Sequence, residues 1–400
     1  MPPRVPNEIL LKIAQLRCAH PECYDYNAMD SPHALDVPPY FHPEDWCARE
    51  LLLANTTVYS LTSPLSWEVV LVISPNALPS IQAAVHRETF YLGEARLPRD
   101  VIRCLDLSFD LKYAEDEIYH LVSALPNLDT LVLSHAVHTM LVFCQPRSPA
   151  DFALPQPLPT PFPTSLRAVL FASTFYSVTM EDINLISLMV PRLERLQVAK
   201  FHPPENTPVD HTTPSYLLNS LKWLAIGSFE TRGNPSRYLT LLLDILSAGS
   251  GMVSLRRLDI LADVRLPERF LNVQGSSITC ISITGARHEC LTNGNAFTRF
   301  EALYHLIILA DPTLSSLPRS HNPSLSRISI FRPPSAASLL MADADVVTQM
   351  NEIITEVIAM SAVCPSLKRV DFVPPNPPVS ADWMTVQKSR TSSRQISLSF

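Results

Sequence analysis

Histidine and cysteine side chains, which zinc commonly uses as ligands, are concentrated in the N-terminal part of the sequence. They are Cys18, His20, Cys23, His33, His42 and Cys47. Structural zinc sites usually take their ligands from closely spaced pairs such as Cys-x-x-Cys. None of the usual paired spacings occurs in this segment. The sequence therefore predicts no metal site, and no cofactor is expected.

A second group whose residue types could carry out a reaction is His288-Glu289-Cys290, where a base and a thiol lie close together. Adjacent side chains of an extended chain point to opposite sides, so this string does not form a nucleophile–base pair. The sequence also lacks the nucleophile elbow of hydrolases, the zinc helix of metalloproteases and the glycine motifs that bind phosphates. We therefore predict that the chain is not an enzyme.

The composition of the chain limits the classes of protein to which it can belong. Hydrophobic residues make up 46% of 400 positions, which is ample for a core. The formal charge of −7 is spread without long runs of one sign, which argues against nucleic-acid binding as the main activity. No apolar run reaches the roughly 18 residues of a membrane helix, and no secretory signal is visible. We expect no membrane association, location in the cytoplasm and/or nucleus, and reduced, mostly buried cysteines.

A recurring unit organises the longer part of the sequence: a helix-like run, a proline, and a short strand. It occurs at 125–133, 190–198 and 364–372. The proline ends the helix, and the apolar-x-apolar pattern that follows places two side chains on one face of a strand.

The apolar spacing of this unit, i, i+3 and i+5, recurs ten times at intervals of 22 to 42 residues. The ten triplets are Ile102, Leu105, Leu107; Leu128, Leu131, Leu133; Leu166, Val169, Phe171; Leu193, Leu196, Val198; Leu221, Leu224, Ile226; Leu255, Leu258, Ile260; Ile278, Ile281, Ile283; Leu303, Leu306, Ile308; Leu325, Ile328, Ile330; and Leu367, Val370, Phe372. We predict that each triplet forms buried positions of one repeat, with insertions in the longer intervals.

Segments of helical periodicity separate the triplets, at 114–125, 180–189, 237–248 and 343–363. We expect these helices to pack behind the strands. The proline-rich segments 146–163 and 203–214 predict extended surface loops. Beyond 374–378 the alternation of Ile396, Leu398 and Phe400 predicts a strand, which would serve as a C-terminal cap.

Side chains that alternate with the triplets are expected to point outward and to line one continuous target-binding surface. The candidate target-binding residues are Asp106, Ser108, Val132, Ser134, Gln197, Asp259, Ser282 and Asp371. This row is short, mixed and weakly acidic, which suits recognition of a protein better than recognition of a polyanion.

The N-terminal region resembles an F-box, the motif that docks substrate receptors onto the adaptor of cullin-based ubiquitin ligases. The string 5–13, Val-Pro-Asn-Glu-Ile-Leu-Leu-Lys-Ile, is similar to the start of that motif, and 53–67 is similar to its second half. The resemblance implies contact with the adaptor by Pro6, Glu8, Ile9, Leu10, Ile13, Leu53, Leu65 and Trp67. The alternative is that these residues only cap the core of the domain that follows.

The repeats resemble leucine-rich-repeat solenoids, and their pairing with an F-box-like start resembles the divergent fungal F-box/leucine-rich-repeat proteins. The predicted fold class is α/β: an irregular leucine-rich-repeat solenoid of parallel short strands backed by helices, after a small N-terminal helical F-box-like domain. The predicted domains are 1–75, with an inserted loop at about 18–45; the solenoid at 76–373; and a proline-rich tail at 374–400.

The resemblance implies a non-enzymatic substrate-recognition subunit of an SCF-type ubiquitin ligase. Its partners would be the adaptor, through it the cullin scaffold, and a target protein that the sequence does not name. Because a repeat surface can also bind proteins without a ligase, a stand-alone leucine-rich-repeat scaffold remains the alternative. In that case the N-terminal region would serve only as a cap.

Overall fold

The structure is a computed structural model, and the residues it describes are 67–72, 77–87, 89–91, 94–107, 115–133, 162–171, 176–203, 218–227, 237–248, 252–262, 264–284, 293–309, 317–318, 320–331, 343–373 and 380–399. The chain divides into two compact units. The first comprises Met1–Asn27 and Asp36–Leu196, and the second comprises Ala28–Leu35 and Gln197–Phe400.

Short parallel strands follow chain order in the first unit. They are β1 (Val69–Leu71), β4 (Cys104–Leu107), β5 (Thr130–Leu133) and β6 (Ala168–Phe171). A separate antiparallel hairpin is formed by β2 (Thr89–Tyr91) and β3 (Glu94–Arg96). The helices are α1 (Ala77–Val85), α2 (Glu115–Ser123) and α3 (Met180–Met189), with a short 3-10 helix at Pro98–Asp100. Strand β7 (Arg195–Val198) spans the boundary between the units.

The second unit continues the same pattern with longer strands. Its parallel strands are β8 (Trp223–Ile226), β9 (Arg257–Ile260), β10 (Cys280–Thr284), β11 (His305–Leu309), β12 (Arg327–Phe331), β13 (Arg369–Val373) and β14 (Ser397–Ser399). Its helices are α4 (Arg237–Leu246), α5 (Glu268–Gln274), α6 (Asp343–Ser361) and α7 (Ala381–Ser392), with 3-10 helices at Gly275–Ser277 and Asn293–Arg299.

The predicted repeat is confirmed at the level of strands and core. In each of the ten triplets the first residue lies two positions before a strand and the other two lie on that strand, and all thirty triplet side chains are buried. The helices predicted at 114–125, 180–189, 237–248 and 343–363 are also present, with ends shifted by at most two residues. The described structure is thus an α/β, solenoid-like array of parallel strands backed by helices.

A tight turn before most of the triplet strands explains why the first triplet residue is so regular. The N–H of Leu128 donates to the Leu125 carbonyl at 3.2 Å, and that of Leu193 donates to the Val190 carbonyl at 3.0 Å. The same bond recurs from Leu367 to the Cys364 carbonyl at 3.1 Å. The turn buries a leucine and redirects the chain from helix to strand.

A backbone ladder then fixes the register of the strands. The carbonyl of Tyr304 accepts from both the Ser326 and Arg327 N–H groups, at 3.0 and 2.9 Å. The Ser326 carbonyl in turn accepts from Lys368 and Arg369, at 3.0 and 3.1 Å. Equivalent positions of successive repeats therefore lie abreast across the sheet.

Two outer repeats were not anticipated as such. Strand β1 adds a repeat before Ile102, with Val70 paired in register with Leu105. At the other end, β14 pairs parallel with β13 and places Leu398 beside Val370. The strand predicted by the C-terminal alternation is confirmed at Ser397–Ser399, whereas helix α7 was missed because its apolar residues do not form a clear stripe.

Most of the N-terminal segment lies outside the described residues. This applies to the helices predicted near residues 5–14 and 44–60, and to the zinc-ligand types between Cys18 and Cys47. The F-box-like domain and the predicted domain limits therefore stay predictions. The proline-rich segments 146–163 and 203–214 also lie almost wholly outside the described residues.

Candidate functional site

Strands β8 to β13 of the second unit each have two side chains that alternate with the buried triplet, and these side chains form two outward rows. The first row, two residues after each triplet begins, consists of Trp223, Arg257, Cys280, His305, Arg327 and Arg369. The second row, two residues further on, consists of Ala225, Asp259, Ser282, Ile307, Ser329 and Asp371. These residues span 149 positions of the sequence, from Trp223 to Asp371, and strand pairing brings them together into one outward face.

The expectation that the candidate target-binding residues line an exposed surface is wrong for those that the structure describes. Asp106, Val132, Gln197, Asp259, Ser282 and Asp371 are all buried, with exposed fractions of 0 to 6%. Alternation along a strand decides only which face a side chain lies on. Both faces of parallel sheets are commonly covered, so the outward face need not be solvated. Of the remaining candidates, Ser108 and Ser134 lie outside the described residues.

Only one of the predicted adaptor-binding residues lies in the described part of the chain. Trp67 is half-buried and immediately precedes Glu68, whose carbonyl accepts from the Arg103 N–H at 2.8 Å. It occupies the first triplet position of the repeat that contains β1. The other predicted adaptor contacts, Pro6, Glu8, Ile9, Leu10, Ile13, Leu53 and Leu65, lie outside the described residues.

A buried ion pair anchors one end of the outward face. The Arg257 guanidinium donates through Nε to Asp259 Oδ1 at 2.8 Å, and Trp223 Nε1 donates to Asp259 Oδ2 at 2.6 Å. The Arg257 Cζ atom lies 4.0 Å from the centroid of the Trp223 ring. All three side chains are buried, so the two charges have lost their hydration. The contacts among the three side chains offset that cost in free energy.

His305 occupies the centre of the outward face. Its Nε2 lies 2.9 Å from Ser329 Oγ, and its Nδ1 lies 3.9 Å from Cys280 Sγ. Burial, and in smaller part the positive charges of Arg327, Arg257 and Arg369, lower the pKa of His305 from 6.5 to about 3. The imidazole is therefore neutral at physiological pH.

The Ser329–His305 contact has the spacing of a nucleophile and a base, but its surroundings do not suit that chemistry. A general base works best when its pKa is near the working pH, and this imidazole is a far weaker base. Both side chains are also fully buried, so no substrate reaches them in this conformation. The pair is better explained as a satisfied polar contact within the face.

A second carboxylate links the last two arginines of the row. Asp371 accepts from Arg327 Nε through Oδ2 at 2.7 Å and from Arg369 Nε through Oδ1 at 2.8 Å. Unlike Arg257, these arginines reach solvent, since their side chains are 27% and 57% exposed. This is the part of the outward face where charged donors are accessible.

The sequence analysis predicted no role for this arginine pair, because its candidate residues all lie at or beyond the second outward position of each repeat. The signal was present at the first outward position, where four of six successive repeats carry arginine or histidine. That regularity becomes visible only after the triplets have been aligned. The distant carboxylate partners, such as Asp371 for Arg327, follow from strand register and not from local sequence.

The described residues contain no group of three or more histidine, cysteine, aspartate or glutamate side chains placed to hold a metal ion. Cys104, Cys280 and Cys364 are buried thiols, and burial raises the pKa of Cys364. None of the helices in the described ranges combines the length and apolarity that crossing a membrane requires.

Comparison with models of known protein families gave no match, and comparison with curated proteins gave none either. The class of this protein therefore rests on the architecture itself. It is an α/β repeat protein in which parallel strands are backed by helices and the outward side carries a polar, arginine-rich row.

Proposed function

We propose that this chain is a non-enzymatic recognition subunit of an SCF-type ubiquitin ligase. Its repeat array would bind a target protein, and its F-box-like N-terminal region would dock onto the ligase adaptor. The array would be of the leucine-rich-repeat kind. Catalysis would come from the ligase partners, through the proximity that the receptor imposes on the target.

The observation that carries the recognition role is the array of aligned repeats. Ten sequence triplets become buried positions of successive parallel strands, and equivalent positions lie abreast. Such arrays are built from local repeats and present extended surfaces that commonly bind proteins. The link to a ligase is supported by the sequence strings 5–13 and 53–67.

Target contact would use side chains that reach solvent, not the buried second outward row. At the start of the strands Lys222, Arg256 and Lys368 are exposed, and within the first outward row Arg369 is exposed. These positions are basic although the chain carries a net charge of −7. An acidic region of a target protein would complement them.

Adaptor binding is the decisive test of the ligase role. We expect the full chain to co-purify with the adaptor, and the double substitution Ile9→Asp and Leu10→Asp to abolish that complex by placing charges in an apolar contact. A matched control is Leu188→Asp with Val273→Asp, because both side chains are exposed on helices of the array. Failure of the unsubstituted chain to bind the adaptor would contradict the ligase role.

The alternative is a stand-alone scaffold that binds a protein through the same array and has no ligase partner. Removal of residues 1–66 distinguishes the two, because it keeps Trp67 and β1 in the array. If residues 1–66 form a docking module, their removal should leave a folded, soluble array. A cap that covers the array's core cannot be removed without aggregation, since the first repeat would expose apolar surface.

A further inference from the structure

Arg327 and Arg369 form a pair of arginines on neighbouring strands. The two residues are Cα partners in the register of β12 and β13. Neighbouring strands lie about 4.8 Å apart, so the two side chains leave the sheet side by side. One carboxylate, that of Asp371, accepts from the Nε of each arginine at 2.7 and 2.8 Å. Both guanidinium planes are thereby held in place.

The outer nitrogens of both arginines remain available. A guanidinium has five N–H donors, and Nε accounts for one of them. Among the described residues neither the Arg327 Nη atoms nor the Arg369 Nη atoms make a hydrogen bond or ion pair. The side chains are 27% and 57% exposed, so a ligand can approach these donors from solvent.

The charge at this position is unbalanced. Two guanidinium groups face the single carboxylate of Asp371, which leaves one positive charge. Arg257 adds none, because Asp259 pairs with it at 2.8 Å. His305 on the neighbouring strand is neutral, and its lowered pKa is consistent with the positive potential around it. This local excess contrasts with the net charge of −7 for the whole chain.

We propose that Arg327 and Arg369 bind a carboxylate side chain in an acidic segment of a partner protein, with Asp371 acting as the internal group that orients them. Planar guanidinium forks match the two oxygens of a carboxylate, and such charge-assisted contacts are shorter and stronger than neutral ones. A singly charged carboxylate also neutralises the single excess charge. This inference rests on the proposed partner-binding role of the array and names the chemistry of that partner.

A phosphate group is the nearest alternative ligand, and the charge disfavours it. At pH 7 a phosphate monoester carries a charge of about −1.5 to −2. Bound between the arginines, it would leave net negative charge beside the buried carboxylate of Asp371, which is only 6% exposed. The experiment below separates the two ligands.

The test uses the full chain and a fluorescein-labelled hexaglutamate peptide at low ionic strength, followed by fluorescence anisotropy. Hexaglutamine is the uncharged control peptide. We expect Arg369→Gln to weaken hexaglutamate binding about tenfold, since it removes one charged fork from a largely exposed position. Arg265→Gln removes the same charge from an exposed residue outside the row and should leave binding unchanged.

The Asp371→Asn variant separates binding from stability. If the arginines had only a structural role, this change would not alter the affinity of the chain for hexaglutamate. This change removes the competing negative charge and keeps one acceptor oxygen, which can accept from the Nε–H group of only one of the two arginines. We expect hexaglutamate to bind the Asp371→Asn chain several-fold more tightly than the unsubstituted chain. A decrease in affinity, or no change, would overturn the proposed charge balance, in which Asp371 leaves one positive charge for the ligand.

Three other results would also overturn the carboxylate site. They are equal binding by the Arg369→Gln chain, equal weakening by Arg265→Gln, and Arg369-dependent binding of inorganic phosphate without any binding of hexaglutamate. The adaptor is absent from this experiment. A missing adaptor complex therefore tests the ligase role alone, and a missing arginine dependence tests this site alone.

Discussion

At the scale of single residues, the outward face contains two carboxylates of similar chemistry in very different surroundings. Asp259 pairs with Arg257, and both side chains are at most 1% exposed. Asp371 pairs with arginines that are 27% and 57% exposed. Because water screens a charge that loses its partner, the two carboxylates should contribute unequally to stability.

We predict that Asp259→Ala lowers the free energy of unfolding by about 3 to 5 kcal/mol, because it leaves the Arg257 charge buried without its carboxylate. Asp371→Ala should cost on the order of 1 kcal/mol, since its arginines can turn toward water. Urea unfolding of the two variants side by side measures the difference. Equal losses would show that burial does not set the strength of these pairs.

His305 gives the outward face a defined pH dependence. Its folded-state pKa of about 3 lies below the ordinary value of 6.5, so between these values the unfolded chain binds a proton that the folded chain does not. Stability from the neutral imidazole is therefore complete above about pH 6.5 and is lost as the pH falls toward 3.

We predict that His305→Asn flattens the decline of unfolding free energy between pH 6.5 and 4.5, by up to about 1.4 kcal/mol per pH unit. Asparagine retains polar atoms opposite Ser329 but does not take up a proton in this range. Urea unfolding at several pH values compares the two slopes. Identical slopes would mean that His305 titrates with its ordinary pKa in the folded chain.

At the scale of elements, the turn that follows β8 depends on a glycine. Gly227 has a φ of +92°, which is unusual for residues with a side chain. Its N–H donates to the Val198 carbonyl at 2.8 Å, and a Cβ at this position would lie 2.5 Å from the Ala262 N atom. Both the backbone conformation and the close approach of the next repeat exclude larger residues.

Gly227→Ala should therefore lower the free energy of unfolding by about 2 kcal/mol or more. Adding Ala262→Gly removes one of the colliding groups, the Ala262 side chain, but neither the backbone contact nor the unfavourable φ. We expect only partial recovery in the double variant, as measured by urea unfolding. Full recovery would show that the side-chain collision alone makes glycine necessary.

Helix α3 shows how the ends of an element can be fixed by local sequence. Thr179 Oγ1 accepts from the Asp182 N–H at 3.2 Å, and Asp182 Oδ2 accepts from the Thr179 N–H at 2.8 Å. This reciprocal capping box fixes the start of the helix at Met180, the position that helical periodicity also predicted. Tyr176 also donates to Asp182 Oδ2 at 2.8 Å, and its pKa is raised by burial and by that carboxylate.

At the scale of the molecule, the end of the second unit is covered by helix α7 and strand β14. Asn351 Oδ1 on α6 accepts from Trp383 Nε1 at 3.1 Å and from Gln387 Nε2 at 2.9 Å. Ile396 and Leu398 are buried beside β13. The segment therefore closes what would otherwise be an unpaired strand with an apolar flank.

Truncation after Val373 should lower the thermal unfolding midpoint and promote self-association, because β13 becomes an edge strand. Val386→Ser is a suitable control in the same segment, as its side chain is 55% exposed and should contribute little. Thermal unfolding and size-exclusion chromatography compare the three chains. A truncated chain that is as stable and monomeric as the intact one would contradict a covering role for residues 380–399.

The amino-acid sequence by itself determined the repeat. Leu128, Leu131 and Leu133 are buried because their spacing is set by a turn and a strand, which are local structures that neighbouring residues specify. The same reasoning located helix α6, whose Met350, Ile353 and Val357 form one buried face.

Only the tertiary structure decided what the outward side of the strands does. Alternation places Asp259 and Asp371 on that side, but whether they meet water depends on what packs over them. Asp371 contacts Arg327 across 44 residues of sequence, because two strands align in register. Local spacing therefore fixed the triplet side of the strands, whereas exposure, charge pairing and the accessible arginines follow from contacts between distant segments.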